Sequence, residues 1–218
     1  MVAARRGRHR VHRALRYLKN HLGDATTIGL KAKVVLAVRA GGRNARRFGG
    51  RNLVHRIKMS QRTNGHYGSG GSVIDQALAM LALVSAGNQP SARAATWLTG
   101  AQCPDGGWQF DAPYHPSTDS RHCHNRTADD FTRSDTNTTS YAVQALDALD
   151  APIAPAASPF AYFRSVRDPV KRGWGYDQNT TLTDANSTAL VLQAYAAAGR
   201  RHPHHAMRPL KRLQYTRH

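Results

Sequence analysis

A seven-residue pattern occurs twice in this chain and restricts it to stacked helical units. Residues 61–67 read Gln-Arg-Thr-Asn-Gly-His-Tyr, and residues 102–108 read Gln-Cys-Pro-Asp-Gly-Gly-Trp. Both are Gln, two spacers, Asn or Asp, Gly, one spacer, aromatic. Ile57 stands four residues before Gln61, and Leu98 four before Gln102. An apolar residue and a Gln one turn apart share a helix face. Asn-Gly or Asp-Gly then stops the helix, because these residues tolerate the left-handed conformation. The two copies lie 41 residues apart, in the range where periodicity means repeated supersecondary units.

A second element travels with the first. Residues 135–146 match residues 184–195 at Asp135/Asp184, Asn137/Asn186, Thr138/Ser187, Thr139/Thr188, Val143/Leu192, Gln144/Gln193 and Ala145/Ala194. Each run is alanine-rich and apolar, with Asp where an N-cap belongs. Residues 73–87 are a third copy, aligned with 185–199 by setting Gly87 on Gly199, and residues 27–41 a weaker fourth. Apolar residues on nearly all sides mark these as inner helices, expected near 28–40, 73–86, 136–149 and 184–198. More amphipathic outer helices are expected at 10–21, 51–60, 91–101, 157–166 and 204–214. No segment alternates with period two, so the fold class is all-α.

These residues resemble the prenyltransferase and squalene-oxidase repeat, the QW motif of squalene and hopene cyclases. The match is Leu98, Gln102, Gly106 and Trp108, with a partial copy in Gly173-Trp174 after Phe163. The resemblance covers about residues 14–214 and is nearest to short bacterial, mostly actinobacterial, extracytoplasmic repeat proteins. It implies a partial α/α toroid of paired inner and outer helices. The division expected is a basic disordered tail at 1–13, the repeat domain at 14–214 with a loop insertion at 110–134, and a truncated end at 215–218. Gln214 follows Leu210 by four but no Gly-aromatic turn comes after it. A partner chain completing the toroid is therefore an expected partner.

Class II terpene cyclases of this superfamily begin catalysis with a protonated Asp in a D-x-D-D-T motif at the start of an inner helix. Asp135, Asn137, Thr138 and Thr139 occupy the cyclase-motif position here, with Asn137 where the proton donor belongs. An amide cannot protonate an alkene or epoxide. Asp184 and Asn186 repeat the same D-x-N. The resemblance thus implies a non-catalytic domain that binds an apolar, isoprenoid-like ligand or a partner at the cell envelope. The alternative is a class II, squalene-hopene-type cyclase acting on a polyprenyl substrate. Tyr141, Gln144, Asp184, Asn186 and Tyr195 are the candidate ligand contacts, set against core tyrosines and capping groups. No cofactor and no metal is expected.

Cys103 and Cys123 are the only cysteines. A disulfide suits an exported protein; two free thiols, or a zinc cluster with His122 and His124, are the alternatives. The three neighbouring histidines His202, His204 and His205 read as a solvated, compositional segment.

The net charge is +18 at pH 7, with 31 Lys and Arg against 13 acidic residues. Such a balance suits nucleic acid or an anionic membrane surface. Arg5, Arg6, Arg8, Arg10 and Arg13 crowd one end, and Arg200, Arg201, Arg208, Lys211, Arg212 and Arg217 the other. No signature of an RNA- or DNA-binding module accompanies them, so no specific nucleic acid is expected and an anionic membrane surface is. No apolar secretory segment is visible near the N-terminus. Export is implied by the resemblance alone.

Overall fold

The computed structural model describes residues 7–112, 122–123, 130–153 and 158–214. Nine α-helices occur among them: α1 (Arg8–Asn20), α2 (Ile28–Ala40), α3 (Leu53–Lys58), α4 (Val73–Ser85), α5 (Ala92–Gly100), α6 (Thr136–Asp147), α7 (Pro159–Ser165), α8 (Ala185–Ala197) and α9 (Arg208–Leu213). The described residues are all-α, apart from a short antiparallel ribbon of β1 (Trp108–Gln109) and β2 (Ser134–Asp135). Helix α1 starts at Arg8, inside the stretch read as tail.

The helices form two layers. The inner row is α2, α4, α6 and α8, each packed on the next. The shorter outer helices cover that row: α1 and α3 pack on α2, α5 bridges α4 and α6, α7 lies on α6, and α9 on α8. This is a partial α/α toroid, an arc of paired inner and outer helices. The core lies between the layers, where Val35, Val38, Ala77, Ala79, Met80, Ala142, Val143 and Val191 are fully buried.

All four inner helices begin alike. Thr27, Ser72, Asp135 and Asp184 are the N-caps, and each side-chain oxygen accepts the N–H three residues on: Leu30, Asp75, Thr138 and Ser187, at 2.7–3.2 Å. Each bond satisfies a donor that the helix leaves orphaned. Helices α4 and α8 end with Gly87 and Gly199 at φ +70° and +59°. The next N–H then returns to a carbonyl inside the helix, Asn88 to Leu83 and Arg200 to Tyr195, each at 2.9 Å. That is the Schellman closure for which glycine is favoured.

The turns joining outer to inner helices share one wiring. Gln61 Nε2 donates to the Gly65 carbonyl (3.2 Å) and Gln102 Nε2 to that of Gly106 (2.9 Å). In the third turn Arg167 takes the place of Gln, and its Nε donates to the Arg172 carbonyl at 2.9 Å. The aromatic then folds back under the turn. The Trp108 indole N–H donates to Leu98 at 2.8 Å, and that of Trp174 to Phe163 at 2.6 Å. The aliphatic or aromatic residue four before the Gln position therefore supplies a carbonyl as well as a packing face.

Candidate functional site

The cyclase-motif residues gather where β2 runs into α6. Asp135 belongs to β2, opposite Trp108, and is the N-cap of α6. Its side chain is sealed, with 0% exposure. Oδ1 accepts the Thr138 N–H at 2.7 Å and Oδ2 the Thr138 hydroxyl at 2.6 Å. The Asn137 N–H and the Tyr176 phenol also reach the carboxyl.

Burial dominates the electrostatics of this group. It pushes the Asp135 carboxyl up to about 7, against the Thr138 hydroxyl and the backbone N–H groups of Thr138 and Asn137, which favour the charged form. The negative charge of Asp177 adds to the rise. Burial also raises the Tyr176 and Tyr162 phenols, with the neighbouring Asp135 charge adding in both. Asp177 is itself held by Arg133 at 2.8 Å, with both side chains almost fully buried. The Tyr162 hydroxyl donates to the Ser134 carbonyl at 2.7 Å. The pocket around Asp135 is thus a closed polar network that tethers α7 and the 175–177 segment to the start of α6.

Asn137 sits one turn face away. Its residue is partly exposed, while its Oδ1 is buried and has no hydrogen-bond partner among the described residues. Thr138 and Thr139 are fully buried, and Thr139 Oγ1 accepts the Trp108 N–H at 2.9 Å. Tyr141 and Gln144 continue along α6 in the same stripe as Asn137, both partly exposed. Gln144 Nε2 donates to Ser140 of its own helix at 3.1 Å. Ile74 and Leu81 hold the matching positions of α4 and are also partly exposed.

The candidate contacts separate into three places. Asn137, Tyr141 and Gln144 share the accessible stripe of α6. Asp184 and Asn186 lie at the start of α8, Asp184 as N-cap and Asn186 exposed. Tyr195 belongs elsewhere. It is 4% exposed and packs against Phe160, Phe163 and Trp174 at ring-centroid distances of 4.9, 6.0 and 6.4 Å. Its helix turns it toward the outer layer, so it is a core aromatic and not a wall of the inner face.

Cys103 and Cys123 form a disulfide, with Cα atoms 5.4 Å apart. It ties the second Gln-Gly-aromatic turn to the insertion, where the Cys123 N–H donates to Gln109 Oε1. His122 stands beside the sulfurs. His124 lies outside the described residues. The part of the insertion nearest α6 is ordered by Arg133 and Thr132, both buried.

Three functional features escaped the sequence. Gln76 is fully buried and bonds the Tyr67 N–H and the carbonyls of Gly65 and Ala94. It occupies the register of Thr139 and Thr188, so the repeat alignment held the signal. Asp168 accepts four hydrogen bonds, from the N–H groups of Val170, Lys171 and Thr183 and from the Thr183 hydroxyl. Burial works to raise its carboxyl, and these donors outweigh it and hold it at about 2. The Arg133–Asp177 pair joins residues 44 apart and left no local trace.

No protein-family model matches the chain, and no curated protein matches it. Among solved structures it is similar to ent-copalyl diphosphate synthase from Streptomyces platensis, at 22% identity, covering 79% of this chain and 33% of that one, with a TM-score of 0.47. The chain therefore spans about a third of the length of that protein.

Proposed function

We propose that this chain is a terpenoid-cyclase-like toroid domain that does not catalyse, and that the open face of its inner helices holds an apolar, isoprenoid-like ligand at the cell envelope. The observation that carries the reading is the state of the motif. Its one carboxylate, Asp135, is fully buried with both oxygens engaged in capping α6. The side chain on the accessible stripe is the amide of Asn137, repeated as Asn186. A general acid must reach its substrate and carry a proton that it can release. Asn137 reaches the open face without a proton to give.

Tyr141, Ile74 and Leu81 give that face apolar surface. Gln144 and Asn137 add a few polar groups, the mixture small-molecule sites use. A cyclase reading draws on one fact, that the Asp135 carboxyl sits near 7 and so retains a proton close to neutral pH.

The test is direct. Purified protein is incubated with squalene and with geranylgeranyl diphosphate, and products are analysed by gas chromatography and mass spectrometry. No cyclised product is expected. Geranylgeraniol should bind, and Tyr141→Ala should weaken it about tenfold, roughly the 1–3 kcal/mol of a buried aromatic contact. Cyclised product that Asp135→Ala abolishes would establish the enzyme reading instead. No binding of geranylgeraniol would remove the ligand reading.

A further inference from the structure

The net positive charge of this chain is concentrated in its first third. Residues 1–74 carry seventeen of the 31 Lys and Arg but one of the 13 acidic residues, Asp24. Residues 75–218 hold the other fourteen and twelve, close to balance. Asp24 is already paired with His21 at 3.1 Å. Almost the whole net charge thus belongs to residues 1–74, the stretch that contains α1, α2 and α3.

Some of these cations have structural work. Arg39 and Arg46 donate to the carbonyls of Ser85 and Ala86 at the end of α4. Others do not. Arg10, Arg13, Arg16 and Lys19 stand exposed along α1, and Arg43 and Arg47 on the facing loop. Arg16, Lys19, Arg43 and Arg47 line a groove of about 510 Å³ whose lining contains no carboxylate. None of the six makes an ion pair among the described residues. The opposite face of α1 is committed: Leu15 is 8% exposed, and Val11 and Leu18 pack on the core.

We propose that the outward face of α1 and the 43–47 loop form a docking surface for an anionic lipid bilayer. Charge complementarity names the partner. Six uncompensated cations on one face attract a negative surface, and each Lys or Arg close to it strengthens attachment roughly fivefold. Tyr17 and Met59, 61% and 71% exposed on α1 and at the end of α3, supply an aromatic and a flexible apolar side chain within this basic third, groups suited to the headgroup layer. The apolar stripe of α1 is buried in the protein, so the helix docks by electrostatics and does not insert. No described helix is long and apolar enough to cross a membrane. This surface is independent of the inner-face ligand reading.

The experiment is co-sedimentation of the whole chain with vesicles of phosphatidylcholine alone or mixed with phosphatidylglycerol, at low and high salt. Binding is expected only to the mixed vesicles, with release by salt. Arg13→Glu/Arg16→Glu/Lys19→Glu should weaken it at least tenfold. Arg208→Glu/Lys211→Glu/Arg212→Glu removes the same charge elsewhere and should leave binding within about twofold. Arg43→Glu/Arg47→Glu repeats the test from the loop, should the α1 variant lose its helical circular dichroism. Failure to bind the mixed vesicles overturns the proposal. So does equal weakening by the α1 and α9 variants, which would mean diffuse charge. Preference for a fluorescent oligonucleotide over the mixed vesicles in direct competition would make nucleic acid the partner and overturn it as well.

Discussion

The Trp108 backbone N–H donates to the Thr139 hydroxyl at 2.9 Å, across 31 residues of sequence. The same bond recurs from Trp174 to Thr188 at 3.0 Å, and from Tyr67 to Gln76 Oε1 at 2.8 Å. In each case the acceptor is the fourth residue of an inner helix. The turn under one outer helix is thereby locked to the helix that follows the turn, unit after unit.

Removing one of these acceptors strands a buried donor. Thr139→Val keeps the shape and deletes the oxygen, and should cost about 1–3 kcal/mol. Thr188→Val should cost a similar amount, since Thr188 is equally buried. Gln76→Leu should cost more, because two further buried hydrogen bonds, to the Gly65 and Ala94 carbonyls, go with it. Urea midpoints measured on the three variants check the order; a Thr139→Val midpoint equal to wild type would show that the bond from the Trp108 N–H adds no net stability.

Asp135 and Asp168 set opposite pH dependences. The folded Asp135 carboxyl lies near 7, above its ordinary value of 3.8. The fold then binds a proton that the unfolded chain has lost, so stability is full below about pH 4 and declines as pH rises toward 7. Asp168 lies near 2. Its contribution is full above about pH 4 and is lost as pH falls toward 2. Asp135→Asn keeps a capping oxygen but does not titrate. The difference in unfolding free energy between wild type and Asp135→Asn should therefore shift against wild type from pH 4 to 7. A difference that stays flat across that range would mean that the buried carboxyl ionises without cost.

Reducing the Cys103–Cys123 disulfide should destabilise the chain by about 3 kcal/mol, the loop-closure entropy of a 20-residue separation. The loss should appear as a lower melting temperature in dithiothreitol, and Cys103→Ser/Cys123→Ser should reproduce it and be insensitive to the reductant. If the double variant melts with wild type, the insertion is held by Arg133 and its neighbours and not by the cross-link.

The layers and helix starts were legible because they are local. Apolar character and an Asp, Ser or Thr cap place α2, α4, α6 and α8 from short windows, and the four expected inner helices match the structure to within two residues. The site was legible only in part. Asn137, Tyr141 and Gln144 fall on one face by helical spacing, which the sequence carries. Tyr195 aligns with the buried Leu146 and not with Tyr141, so the repeat register carried its core placement, while its partners Phe160 and Phe163 are a matter of tertiary packing. The burial of Asp135 depends likewise on Tyr176 and Tyr162, which arrive from distant segments.

The third turn shows how far the motif can drift while the geometry stays. Gln becomes Arg167, and the residue two before the aromatic, Gly65 and Gly106 in the other turns, becomes Arg172. The backbone there remains left-handed: φ is +95° at Gly65, +92° at Gly106 and +69° at Arg172. A side chain in that region costs roughly 1–2 kcal/mol by contact between Cβ and the carbonyl. Arg172 bears it because its carbonyl is fixed by Arg167 Nε and its N–H by the Asp168 carbonyl at 3.1 Å. Arg172→Gly keeps both bonds and relieves the strain. It also loosens the unfolded chain, an opposing effect of about 0.4–1 kcal/mol. The strain is the larger of the two, so the variant should be more stable, by up to about 1 kcal/mol. A raised urea midpoint with an unchanged slope is the expected result. A lowered midpoint would show that the Arg172 side chain contributes contacts worth more than its backbone strain.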